Sequence, residues 1–212
     1  PAPQFTQTIP LGNGRLGAVV YGNPHKERIV LNEISMWSGG VENPNRDDAS
    51  QHLSEIQRLL KEDKNKEAQN LLQKYFVSAG KGTAFGSGAN AKYGSYQIFA
   101  DLLINWQDST GVITDYKRAL NLNNALAVTK WKKNGVNFKE EVLSSGADNV
   151  IVVRLTADKP NALNFNVLLN RKEDAQFSAA GNNITMTGQL PGGNGELGIR
   201  FAGYAKVLPT NG

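Results

Sequence analysis

The chain has 212 residues, enough for one domain or one large β domain that buries roughly 70% of its unfolded surface with no metal or disulfide. It carries 23 Lys and Arg against 19 Asp and Glu, a formal charge of +4, and the basic residues are scattered along it, which argues against a nucleic-acid partner. With no Cys, a disulfide scaffold, Cys-ligated zinc and thiol catalysis are excluded, and no apolar run approaches the ~18–20 residues that span a bilayer.

The sequence opens at Pro1 with no Met and no charged stretch ahead of an apolar one, as expected of a mature form after leader removal or of a trimmed fragment. Asn and Gly together make about a fifth of the chain, so it should turn often. The apolar runs Leu16–Tyr21 and Arg28–Leu31, parted by Gly22-Asn23-Pro24, read as two strands with a turn between them. From about Asp47 to Val77 the period changes. Leu53, Ile56, Leu59 and Leu60 recur at helical spacing, as do Ala68, Leu71, Leu72, Tyr75 and Phe76, which predicts an antiparallel helical pair with Asp47, Asp48 or Ser50 as first cap. The Gly-rich stretch Ser78–Ser95 suits a mobile excursion.

Past Tyr96 the signals are β throughout. Ile98–Trp106 leads the series, and Asn134-Gly135 between Ala125–Trp131 and Val136–Val142 predicts a type I′ hairpin, whose turn needs positive φ at both positions. Val150–Leu155, Leu163–Leu169, Ile184–Thr187 and Ile199–Val207 continue at sandwich-like intervals. The nearly continuous apolar run at Val150 suggests a strand covered on both faces.

Gly12-Asn13-Gly14-Arg15-Leu16-Gly17 matches the dinucleotide pattern G-x-G-x-x-G, but that motif needs a strand before the loop and a helix after it. Here Pro10 precedes the loop and the following run reads as strand, so the match is taken as a turn. His52 and Glu55 share a helix face without a third ligand, which leaves a solvated helix face and no expected metal; His25 reads as a turn residue. Glycosidic hydrolysis needs two carboxyl groups roughly 5–10 Å apart. Glu33, Asp101, Asp108 and Asp115 are spread over different segments and sequence does not pair them, while Glu140 and Glu141 point to opposite faces of one strand. Among the aromatics, Trp106 and Trp131 sit at interior strand positions and read as core, whereas Trp37 lies in a loop just after Leu31-Asn32-Glu33, where polar groups and an aromatic converge.

Ile9–Ala18, Glu27–Glu33 and Met36-Trp37-Ser38-Gly39-Gly40 form a signature, followed in order by Lys66-Glu67-Ala68-Gln69, Tyr96-Gln97, Asp101–Ile104, Asp115–Arg118 and Val150–Ala157. On these segments the chain resembles the N-terminal domain of glycoside hydrolase family 95, the α-L-fucosidases that release terminal α-1,2-linked fucose with inversion. The resemblance implies a mainly β fold, a β-supersandwich of two packed, largely antiparallel sheets with a helical-pair insertion around residues 48–77. It implies that residues 1–212 form a single noncatalytic domain, and family members usually continue that β domain further than this. An (α/α)6 barrel absent from this chain would hold the catalytic residues, and it would be the domain's partner, with fucosylated oligosaccharide as the parent enzyme's substrate. No catalytic motif of the family falls within this chain, so no catalytic residue and no cofactor is expected. Ser78–Ser95 departs from the family pattern. Asn13, Arg15, Asn32, Glu33 and Trp37 are the expected barrel interface or substrate rim, with tight turns within the domain as the alternative for their loops. The family implies a periplasmic or extracellular bacterial location. A standalone carbohydrate-binding module and a purely structural domain stay open as other readings.

Overall fold

The computed structural model describes residues 1–41, 43, 45–77, 94–193 and 195–210. The chain divides into two compact units, Pro1–Trp37 with Tyr96–Leu190 and Ile199–Gly212, and Ser38–Ser95 with Pro191–Gly198.

The first unit is antiparallel β. Strands β1 (Ile9–Gly12), β2 (Leu16–Val20), β3 (Lys26–Glu33), β4 (Ala100–Trp106) and β9 (Phe165–Asn170) form one sheet in the order β1-β2-β3-β4-β9. Strands β5 (Ile113–Asn121), β6 (Leu126–Lys133), β7 (Val136–Ser145) and β8 (Val150–Ala157) form a second, in chain order. A third sheet joins β10 (Ala175–Ala180), β11 (Asn183–Gly193) and β12 (Glu196–Lys206).

Side chains alternate across a strand, so Glu27, Ile29 and Leu31 of β3 share one face of the five-stranded sheet with Ala100, Leu102, Ile104 and Trp106 of β4. Both smaller sheets cover that face. Ala18, Val20 and Ile29 pack with Ala127 and Val142 of the four-stranded sheet, while Ala100 and Leu169 pack with Met186, Leu190 and Phe201 of the three-stranded one. Two layers result, one sheet opposite two. The fold is the β-sandwich expected from the sequence.

The Asn134-Gly135 hairpin forms as anticipated, with φ of 52° and 74° at the two turn residues. Several local expectations fail, each for a physical reason. Ile9–Gly12 is a strand despite Pro10, because β1 lies at the sheet edge, where a missing N–H costs no ladder bond. Val150 and Val152 are each 44% exposed rather than covered on both faces; β8 is an edge strand that turns Ile151, Val153, Leu155 and Ala157 inward. Finally, the capping expectation for the first helix is not met. Asp48 is held by Arg46 at 3.3 Å and precedes a short 3₁₀ turn, Ala49–His52, and no side chain caps the helix behind it.

In the second unit that helix, α1 (Leu53–Lys61), and its successor α2 (Asn65–Tyr75) make the predicted pair. Ile56, Leu59 and Ala68 form its core with Leu71, while Leu53 and Leu60 stay largely exposed. Arg58 bridges Glu55 at 2.7 Å and Glu62 at 2.5 Å along one face. His52 is not a solvated helix residue: its ring stacks on Tyr75, centroids 3.5 Å apart. Residues 78–93 of the Gly-rich stretch lie outside the described residues.

Candidate functional site

The β1–β2 hairpin is built by its own loop. Gly14 takes the positive φ that the turn needs, at 92°, and the Asn13 carbonyl oxygen of the side chain accepts from the N–H groups of Arg15 (3.0 Å) and Leu16 (2.7 Å). The Asn13 amide in turn donates to the Ser145 carbonyl at 2.6 Å, which fastens the hairpin tip to the end of β7. The strand that the dinucleotide motif requires before its loop is therefore present, but a second antiparallel strand follows instead of a helix, so no helix N-terminus meets a phosphate.

Pairing of β2 with β3 sets Leu16 opposite Glu33 and Gly17 opposite Asn32. The guanidinium of Arg15 thereby reaches Glu33, with Nε donating to Oε1 at 3.2 Å. The other oxygen of Glu33 accepts from the backbone N–H of Ser35 at 2.8 Å and from its hydroxyl. Burial pushes the Glu33 carboxyl up, but the Ser35 hydroxyl and N–H and the Arg15 guanidinium outweigh it and hold the group below its usual value. Glu33 is thus an anchored anion rather than a proton donor.

Trp37 completes this corner. Its indole N–H donates to the Ile34 carbonyl at 3.2 Å, its backbone bridges Tyr96, and the two rings meet edge to face with centroids 5.6 Å apart. The Tyr96 hydroxyl is shared between Asn32 Oδ1 (3.3 Å) and the Glu33 carbonyl (3.2 Å), and burial together with the Glu33 charge raises its pKa. Trp37 remains 50% exposed and Tyr96 41%. Of the five residues singled out in the sequence, the structure brings Arg15, Asn32, Glu33 and Trp37 together, while Asn13 acts on the hairpin and on Ser145. Tyr96 was missed, since 59 positions in sequence part it from Trp37 and only the fold closes that gap. Trp106 and Trp131 are core as expected, 9% and 5% exposed, packed edge to face at 5.7 Å with Phe138 stacked on Trp131.

The remaining candidate carboxylates do not form a hydrolytic pair. Asp101 binds Arg28 at 3.0 Å. Asp108 is held by Thr110 and by Lys133 at 3.1 Å, which keep it ionised with a pKa of about 2. Asp115 sits in a β-bulge at φ 52°. Glu141 faces outward to Lys139 at 2.5 Å, and Glu140 inward, so these two occupy opposite faces as their spacing required.

The carboxyl groups that do meet were not legible in sequence. Glu27 and Glu140 are 1% and 3% exposed in the layer between the sheets. Glu27 accepts from the N–H groups of Tyr21 (3.1 Å), Gly22 (2.9 Å) and Asn23, holding the β2–β3 turn. Gly22 there has φ 70°, and a Cβ on it would come 2.6 Å from Arg118 Cδ. Arg118 donates to the carbonyls of Tyr21 and Gln7, Tyr116 donates to that of Gly22 at 2.8 Å, and the Pro1 amino group also feels the Glu27 charge. Burial, against those three N–H donors and Arg118, raises Glu27 to about 7. Burial and then the Glu27 charge push Glu140 well above its usual value, with the Thr129 hydroxyl opposing them. Perturbed carboxyls of this kind mark active sites when they line a cleft. Neither residue lines the cleft around Trp106 and Asn164 or the groove around Lys130 and Thr156.

Comparison with known proteins matches residues 1–212 to the family model described as "Glycosyl hydrolase family 65, N-terminal domain". The chain is 30% identical over 233 residues to "Alpha-L-fucosidase 2" of Arabidopsis thaliana, covering 100% of this chain and 26% of that protein. It is 30% identical over 189 residues to "Probable alpha-fucosidase A" of Aspergillus niger, covering 87% of this chain and 22% of the relative. The chain thus spans about a quarter of the length of these relatives.

Proposed function

This chain belongs to the family of glycosyl hydrolase family 65 N-terminal domains, and from that premise we propose that it is the noncatalytic β-sandwich of a longer α-fucosidase. We place it with the α-L-fucosidases of family 95, on the segments Ile9–Ala18, Glu27–Glu33 and Met36–Gly40 and on the names of its relatives. The parent enzyme is an inverting exo-hydrolase of α-L-fucosides. Its (α/α)6 barrel, outside this chain, supplies one protonated acid to release the leaving oxygen and one base to activate water.

The observation that carries the noncatalytic reading is the state of the carboxylates. Glu33, Asp101, Asp108 and Glu141 each lie against a cation, and the two with raised pKa are shut inside the fold. The domain's work is then to buttress the barrel, and the Arg15–Asn32–Glu33–Trp37–Tyr96 corner is the surface we assign to it. Its exposed aromatic edges and guanidinium suit a partner surface or the rim of a sugar pocket.

Titrating a fucosylated oligosaccharide into the purified chain tests this assignment. No binding is expected, because in the buttress reading the corner needs the barrel to form a sugar site. Measurable affinity that disappears on Trp37→Ala would replace the buttress with a carbohydrate-binding module. In the longer enzyme, Trp37→Ala should lower the thermal midpoint or raise KM while leaving kcat close to the parent value, since no reacting atom is touched.

A further inference from the structure

Basic residues that look scattered in sequence are gathered by the register of the four-stranded sheet. Lys117 of β5 lies directly opposite Lys130 of β6, Lys130 directly opposite Lys139 of β7, and Thr156 of β8 ends the row. Thr129, Trp131, Phe138 and Glu140, the strand neighbours of Lys130 and Lys139, are buried inward, so the three lysines share the outer face. Adjacent strands are ~4.8 Å apart, and at ~0.1 M salt the screening length is ~10 Å, so each ammonium group feels its neighbour. Like charges directly across a sheet are unfavourable.

Local acids meet this row only in part, at Lys139. Glu141 takes Lys139 at 2.5 Å and reaches Arg154 only at 4.0 Å. Asp158 is occupied by the backbone and side-chain amides of Asn137 at 2.9 and 2.6 Å. Neither Lys117 nor Lys130 has an ion-pair partner among the described residues. A groove of about 480 Å³ runs at the row, lined by Lys130, Lys139, Asn137 and Thr156, with Asp115 and Asp158 also on its wall.

We propose that this outer sheet face docks an acidic polysaccharide, a glycan chain bearing carboxylate or sulfate groups. The cations repeat at the strand spacing and so meet charges that repeat along an extended chain. An anion on the row removes the repulsion between Lys117 and Lys130 that the fold maintains there. Membership of a glycosyl hydrolase family places the domain among glycan chains rather than nucleic acids. This surface is independent of the Trp37 corner and of how the parent enzyme cleaves its substrate.

The test is binding of polygalacturonate, dextran sulfate, neutral dextran and poly-glutamate to the purified chain, at low salt and at roughly 0.2 M, with a Lys117→Gln/Lys130→Gln double variant in parallel. At least one acidic polysaccharide should bind, more weakly as salt rises, and about tenfold more weakly to the double variant. Preference for polygalacturonate would identify carboxylate as the recognised group, and preference for dextran sulfate would identify sulfate. The double variant should melt at or above the parent temperature, because it loses only repelling charges. The proposal is overturned if neither acidic polysaccharide binds better than neutral dextran, if the double variant binds as tightly as the parent, or if poly-glutamate binds as tightly as both.

Discussion

Glu140→Gln is expected to stabilise the domain near pH 8 and to change it little near pH 5. Glu27 and Glu140 both carry folded-state pKa values above the unfolded ones, Glu27 rising from 4.5 to about 7. Between those values the folded chain holds more protons than the unfolded one, so stability falls as pH rises through the window and stays low above it. For Glu27 alone the span of 4.5 to about 7 corresponds to roughly 3 kcal/mol lost by pH 8. Glu140 contributes in the same direction. An amide at that position keeps the side chain's shape and its contact with Thr129, cannot ionise, and removes one of the two charges that otherwise face each other. The gain should show near pH 8 as a rise in thermal midpoint. Near pH 5, where both carboxyls are protonated in the fold, the difference should stay within about 0.5 kcal/mol. Urea unfolding followed by tryptophan fluorescence across this range measures both curves. A parent protein that gains stability from pH 5 to 8, or a variant equally destabilised at both ends, would refute the reasoning.

Trp131→Ala should cost about 3–5 kcal/mol by opening a cavity against Trp106 and Phe138, whereas Trp37→Ala in the isolated chain should cost under about 1 kcal/mol because half of that ring is already exposed; chemical denaturation separates the two. Gly22→Ala combines an unfavourable positive φ with a Cβ 2.6 Å from Arg118 Cδ. It should lose about 1–3 kcal/mol, and a thermal midpoint matching the parent would contradict the close packing of Arg118 on that turn.

Much of the architecture was legible because local chemistry and global fold agree. Asn134-Gly135 can hardly serve anything but a tight hairpin, and the helical pair announces itself by spacing. Besides β1, two strands escaped notice. The apolar alternation of β5 is broken by its bulge at Asp115, and β10 is exposed along nearly its whole length, so only its pairing with β11 makes it a strand. The run at Val150 misled because composition does not reveal whether a strand lies at a sheet edge. The Trp37 corner was half visible: Arg15, Asn32, Glu33 and Trp37 lie close in sequence, and Tyr96 does not. The approach of Glu27 to Glu140 could not be read. A glutamate beside Arg28 or Glu141 looks solvated in sequence, and only the stacking of two sheets joins residues 113 positions apart.

Release of fucose from 2′-fucosyllactose by the purified chain bears most directly on the assignment of this domain as a noncatalytic support. Fucose release should not exceed that of the buffer control, while the longer enzyme should turn the same substrate over. Sustained turnover by residues 1–212 alone, abolished by Glu27→Gln or Glu140→Gln, would place the chemistry inside this sandwich and contradict the account.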